Sequence, residues 1–69
     1  MTLKEQFGTA IILRRKEQKI SQEEFARKAG ITRSYMSNIE NGKRCVSIEV
    51  IDKIAKTFGI TMSELLDFT

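Results

Sequence analysis

The sequence contains no histidine, no tryptophan and no proline, and its one cysteine is Cys45. Without His, neither a Ser-His-Asp nor a Cys-His catalytic arrangement can be assembled. One Cys and no His cannot supply the ligands of a structural zinc site, and neither a metal nor a cofactor is expected. A single Cys makes no internal disulfide, which suits a reducing cytoplasm; in its loop Cys45 is expected as buried, inert filler. The glycines Gly8, Gly30, Gly42 and Gly59 stand too far apart for a phosphate-cradling loop. There is no 18-residue apolar run and hence no expected membrane span. The segment from Met1 to Ile12, interrupted by Gln6, Gly8 and Thr9, lacks the unbroken apolar stretch of a signal peptide. With 69 residues the chain reads as one domain, residues 1–69. It offers little room for a substrate pocket of about 300–1,000 Å³, so neither an enzyme nor a small-molecule ligand is expected.

What is present is charge, unevenly spread. Twelve Lys and Arg face nine Asp and Glu, for a net +3. Residues 27–44 hold Arg27, Lys28, Arg33, Lys43 and Arg44 against Glu40 alone. The last third holds Lys53 and Lys56 against Glu49, Asp52, Glu64 and Asp67. The middle third is therefore where a polyanion would bind, although a modest cationic surplus is also what an ordinary solvated face looks like.

Helix signals divide the chain into five. Thr2 and Glu5, Ser21 and Glu24, and Thr61 and Glu64 have capping-box spacing. Leu3, Phe7, Ala10 and Ile11 recur every three or four residues, which predicts one apolar stripe on a helix over about residues 3–18. The second helix carries Phe25, Ala26 and Ala29 and ends at Gly30, suited to the left-handed position after a helix. The third, capped by Thr32, carries Tyr35, Met36 and Ile39 and closes at Asn41-Gly42. Ser47 starts a fourth with Ile48, Ile51, Ile54, Ala55 and Phe58, closed by Gly59, and Thr61 starts a short fifth through Leu65 and Leu66. No apolar/polar alternation long enough for a strand occurs. The expected class is all-α, a compact five-helix bundle.

Two short helices joined only by Gly30-Ile31-Thr32 form the spacing of a central helix-turn-helix. Ala26 is small where the two helices cross, Ile31 is placed to plug the core beneath the turn, and Ile39 to anchor the back of the third helix. An αα-corner in any small bundle could use the same residues. At sequence level, however, Ser21-Gln22-Glu-Glu-Phe25-Ala26, Gly30-Ile31-Thr32 and Ile39-Glu40-Asn41-Gly42-Lys43 resemble the Cro/phage-repressor (XRE-type) helix-turn-helix family, and the resemblance runs on to Leu66. The family's usual Pro before the fourth-helix Ser is Val46 here. Within that family, Arg33 to Ser37 and Arg44 are similar to the controller proteins of restriction–modification systems.

The third helix should then lie in the major groove of double-stranded DNA with its first residues at base edges. Its outward face holds Arg33, Ser34, Ser37 and Asn38 as candidate base contacts. The fork of Arg33 matches guanine O6 and N7, and Asn favours adenine, although many such side chains meet only phosphate or water. Backbone or shape contacts are expected from Gln22, Thr32, Tyr35, Asn41, Lys43 and Arg44. Gln22 follows the Ser21 cap at a helix N-terminus, where an anion is favoured. Tyr35 is open between DNA contact, which the controllers imply, and helix packing. Arg44 is open between phosphate, minor groove and an internal ion pair. The resemblance also implies a structural ion pair, Arg15 with Glu40, locking the first helix to the base of the third.

One helix-turn-helix reads one half-site, so a homodimer on a palindromic operator is expected. Val50, Ile60, Met62, Leu65, Leu66 and Phe68 exceed what the core stripe needs and are the candidate dimer surface; alternatively Leu65 and Leu66 cap the protomer's own core. The expected function is a sequence-specific transcriptional regulator, the controller of a restriction–modification system or a phage-type repressor. The competing reading is an antitoxin-like protein-interaction module. RNA binding is disfavoured by the shortage of outward aromatics.

Overall fold

Thr2, Ser21, Thr32, Ser47 and Thr61 each start a helix in the same way. Every one of these caps has extended backbone, and its side-chain oxygen accepts a hydrogen bond from the N–H three residues on. The computed structural model describes residues 1–68. Within them the caps open α1 (Leu3–Glu17), α2 (Gln22–Ala29), α3 (Arg33–Glu40), α4 (Ile48–Phe58) and α5 (Met62–Leu65). Thr2 and Thr61 form complete capping boxes with Glu5 and Glu64. The box expected at Ser21 is half formed: Ser21 caps the Glu24 N–H, but the Glu24 carboxylate turns along the helix to Lys28, 3.5 Å away.

The helix ends also share a device. After α1 to α4 the chain doubles back, with N–H groups of the next two residues bonded to carbonyls of the last turn. After α2, Ile31 N–H bonds Ala26 at 3.0 Å, and Gly30 takes φ +75° without strain. After α1 the equivalent residue is Lys19 at φ 58°, a left-handed backbone that is costly for a residue with a side chain.

The core gathers Phe7 and Ile11 from α1, Phe25, Ala26 and Ala29 from α2, Met36 and Ile39 from α3, Ile54, Ala55 and Phe58 from α4, and Leu65 from α5. Phe25 and Phe58 meet with ring centroids 4.4 Å apart, which ties α2 to α4. Ile31 packs on this core from the turn. Leu3 departs from the expected stripe: it is 66% exposed, above an open groove of about 400 Å³ between the start of α1, the loop after α3 and the C-terminal residues. That groove is largely apolar; its polar lining is Lys4, Arg44 and Cys45.

Gly8 lies where α1 crosses the end of α3. A Cβ there would stand 2.5 Å from the carbonyl oxygen of Ile39 and 2.6 Å from that of Glu40. The absence of a side chain at Gly8 lets α1 lie directly on the end of α3, and so sets where α3 points.

Candidate nucleic-acid interface

The inward face of α3 is fixed by Met36 and Ile39, which are fully buried. At 3.6 residues per turn this leaves Arg33, Ser34, Ser37, Asn38 and Asn41 on the other side. Arg33, Ser34 and Asn41 are exposed, and Ser37 and Asn38 are half-buried lower on the same face. Eight helical residues span about 12 Å, and a helix of about 10–12 Å diameter matches the major groove of B-DNA, about 12 Å wide. The face carries polar groups that can donate and accept, and Arg33 in its first turn supplies the positive charge.

The base of α3 is built differently. Glu40 is 6% exposed, and its carboxylate accepts three hydrogen bonds: Arg15 Nε at 2.9 Å, Arg15 Nη2 at 3.0 Å and Gln22 Nε2 at 3.0 Å. The third nitrogen of the Arg15 guanidinium donates to the Ile20 carbonyl at 2.9 Å. One carboxylate thus joins α1, α2 and α3, and the fork-to-fork geometry fixes direction as well as distance. Among the described residues every buried side-chain polar atom has a partner.

The cations of the middle third all reach solvent. Arg27, Lys28, Arg33, Lys43 and Arg44 are all exposed. Arg33 Nη1 lies 3.8 Å from Glu23 at the start of α2, and both side chains are more than two-thirds exposed. Lys43 and Arg44 have no carboxylate partner among the described residues. The Arg44 guanidinium sits over the Tyr35 ring, 5.0 Å from its centroid. Tyr35 itself is half-buried, packed against the core on one side and against Arg44 on the other. Ser21 caps only the Glu24 N–H, so the first N–H groups of α2 are open to an anion beside this face.

The helix-turn-helix family model matches residues 11–65. The chain belongs to the helix-turn-helix family. This helix-turn-helix chain is 47% identical over 64 residues to the control protein C.MunI of a Mycoplasma species, covering 91% of this chain and 86% of that one. Its structure resembles the restriction–modification controller protein C.AhdI from Aeromonas hydrophila, with TM-score 0.87 and 35% identity over 90% of this chain and 94% of that chain. It also resembles the biofilm regulator SinR, solved in complex with DNA, with TM-score 0.82 and 35% identity over 88% of this chain and 98% of that one.

Three expectations for the helix-turn-helix chain need correction. Leu65 is 2% exposed and closes the protomer's own core beneath α4, so it is not available to a surface patch. Cys45 is exposed, because no element covers the loop after α3. The Gln22 side chain turns inward to Glu40, since a buried carboxylate needs its remaining lone pairs satisfied; what Gln22 leaves open to an anion is its backbone N–H. Of the other candidate dimer residues, Val50, Ile60, Met62 and Phe68 are half-buried and Leu66 is 43% exposed. Phe68 also lays its ring 5.8 Å from that of Phe7. Ile48, 72% exposed at the start of α4, is a further apolar group open to solvent. Gly8 and Glu23 were missed. Gly8 stood out in the sequence only as a break in the apolar residues near the N-terminus, and no spacing rule pairs Glu23 with an arginine on another helix.

Proposed function

We propose that the protein is a homodimeric, non-enzymatic transcriptional regulator that binds a palindromic double-stranded DNA operator and controls a restriction–modification system. The observation that carries the reading is the division of α3: a buried, ion-paired base, and an outward face with Arg33, Ser34, Ser37 and Asn38 toward solvent. The likeness to C.MunI and C.AhdI supports the controller role. In this reading Arg33 reads a guanine, Ser34, Ser37 and Asn38 meet neighbouring base edges, and Thr32, Asn41, Lys43, Arg44 and the N–H of Gln22 hold the backbone, with the Tyr35 ring against Arg44.

Size supports the dimer on an operator of two half-sites. The protein measures 26 Å along its longest axis, whereas half-sites one helical turn apart are separated by about 34–36 Å. A single protomer cannot place α3 in both. The exposed and half-exposed apolar groups Ile48, Val50, Ile60, Met62, Leu66 and Phe68 supply the matching surface. No helix among the described residues is long and apolar enough to cross a membrane.

The test is binding to a labelled duplex carrying an inverted repeat selected from a randomised pool, across a salt series. Affinity should fall steeply with salt, and two protomers should bind per duplex. Binding that does not distinguish the repeat from scrambled DNA would refute the reading.

A further inference from the structure

Arg33 and Arg44 flank the outward face of α3, and each has one partner in the free protein. Their geometries differ in a way that matters for DNA. The five N–H groups of a guanidinium lie in its plane and point outward from its edge, while an aromatic ring occupies its face. Glu23 therefore takes up an edge of Arg33 that a base or phosphate would need. The Arg44 guanidinium carbon instead lies over the Tyr35 ring, 5.0 Å from its centroid, and no carboxylate among the described residues takes its N–H groups. The ring contact and a DNA contact can exist together.

Arg44 needs such support. It lies outside any helix, is exposed, and has no carboxylate partner among the described residues. A free Arg side chain loses rotamer freedom when it is held by a ligand. Tyr35 is well placed to reduce that loss. It belongs to α3, its N–H is bonded to the Thr32 cap at 3.0 Å, and its ring is packed on the core.

We infer that Tyr35 is a positioning residue, whose ring face holds Arg44 oriented beside α3 before DNA arrives. This rests on the reading of Arg44 as a DNA contact. It assigns the aromatic ring, not the hydroxyl, as the part of Tyr35 that matters for Arg44.

The test compares Tyr35→Phe, Tyr35→Leu, Arg44→Ala and the double variant Tyr35→Leu/Arg44→Ala. Two readouts are taken: operator affinity by fluorescence anisotropy, and the proton shifts of the Arg44 side chain in the free protein by NMR. A ring over the guanidinium moves those signals upfield. Tyr35→Phe should keep the upfield shift and bind within about twofold of the unaltered protein, while Tyr35→Leu should lose the shift and bind about two- to fivefold more weakly. The double variant should bind no more weakly than Arg44→Ala. Arg44→Ala leaves the core untouched and should change the emission of Tyr35, the one tyrosine in a chain without tryptophan; this readout stands if the Leu variant fails to fold. Unshifted Arg44 signals in the unaltered protein would overturn the inference, as would equal weakening by Phe and Leu or additive losses in the double variant. If the shift is present but Arg44→Ala binds normally, the DNA contact at Arg44 is what has failed, and the positioning role falls with it.

Discussion

The two ends of α3 each carry an arginine–glutamate pair, and the pairs do opposite work. At the base, Arg15 and Glu40 meet at 2.9 Å with side chains 13% and 3% exposed. At the tip, Arg33 and Glu23 stand 3.8 Å apart in solvent. Charge type is the same; dielectric and geometry are not. The buried pair is over-determined by hydrogen bonds from Gln22 and to Ile20, and it cannot be half-removed without stranding a charge. The tip pair is screened by water and salt and costs little to exchange for a new partner. A helix that is to probe DNA needs both conditions, a fixed base and an uncommitted end.

The sharpest way to break this contrast is at Glu40. Glu40→Ala should cost about 3–5 kcal/mol in urea or thermal denaturation, because it leaves the Arg15 cation without its partner. A loss below about 1 kcal/mol would make the base no different from the tip.

Gly8→Ala attacks the same base without touching a charge. Ala gains about 0.5–1 kcal/mol of helix preference over Gly. Its Cβ, however, meets two backbone carbonyl oxygens that cannot swing aside. A net destabilisation of about 1–3 kcal/mol is expected from the forced shift of α3. An unchanged or raised melting temperature would show that the α1–α3 crossing has slack.

At the tip the signs reverse. Arg33→Ala should leave stability within about 0.5 kcal/mol and weaken operator binding by about 1–3 kcal/mol, with preference relaxed at one base position. Melting and anisotropy on the same variant decide it. A stability loss comparable to that of Glu40→Ala would erase the division. Glu23→Gln is a milder probe, expected to shift stability by under about 1 kcal/mol and to do so only at low salt.

Acid sharpens the contrast from outside both ends. Glu5 and Glu64 are held below the ordinary carboxylate value of 4.5, first by hydrogen bonds from the backbone N–H of Thr2 and Thr61 and then by the side chains of the same residues. A carboxylate with a lowered value in the folded state takes up its proton more readily when unfolded. The stabilisation is therefore complete above about pH 4.5 and is lost as pH falls below it. Glu5 abuts Gly42 at the foot of α3, so Glu5→Gln should flatten the acid limb of a stability-against-pH curve, whereas Arg33→Ala should leave it unchanged.

Much of this was legible in the residues. The five caps, the left-handed Gly30 and the buried positions Phe7, Ile11, Met36, Ile39, Ile54 and Phe58 follow from periodicity and capping chemistry, because these depend on neighbours within four residues. The outward set of Arg33, Ser34, Ser37 and Asn38 follows from the same periodicity once Met36 and Ile39 are placed inside.

The sequence by itself therefore determined where helices start, where they end and which side of α3 is polar, since a capping bond or a helical stripe is settled locally. Tertiary structure alone decided what could not be settled locally. It set Gly8 against the carbonyls of α3, turned Gln22 inward, buried Leu65, exposed Cys45, and placed Arg44 over Tyr35. Each of these depends on the distance between segments that are far apart along the chain, and that distance is fixed only when the whole core closes.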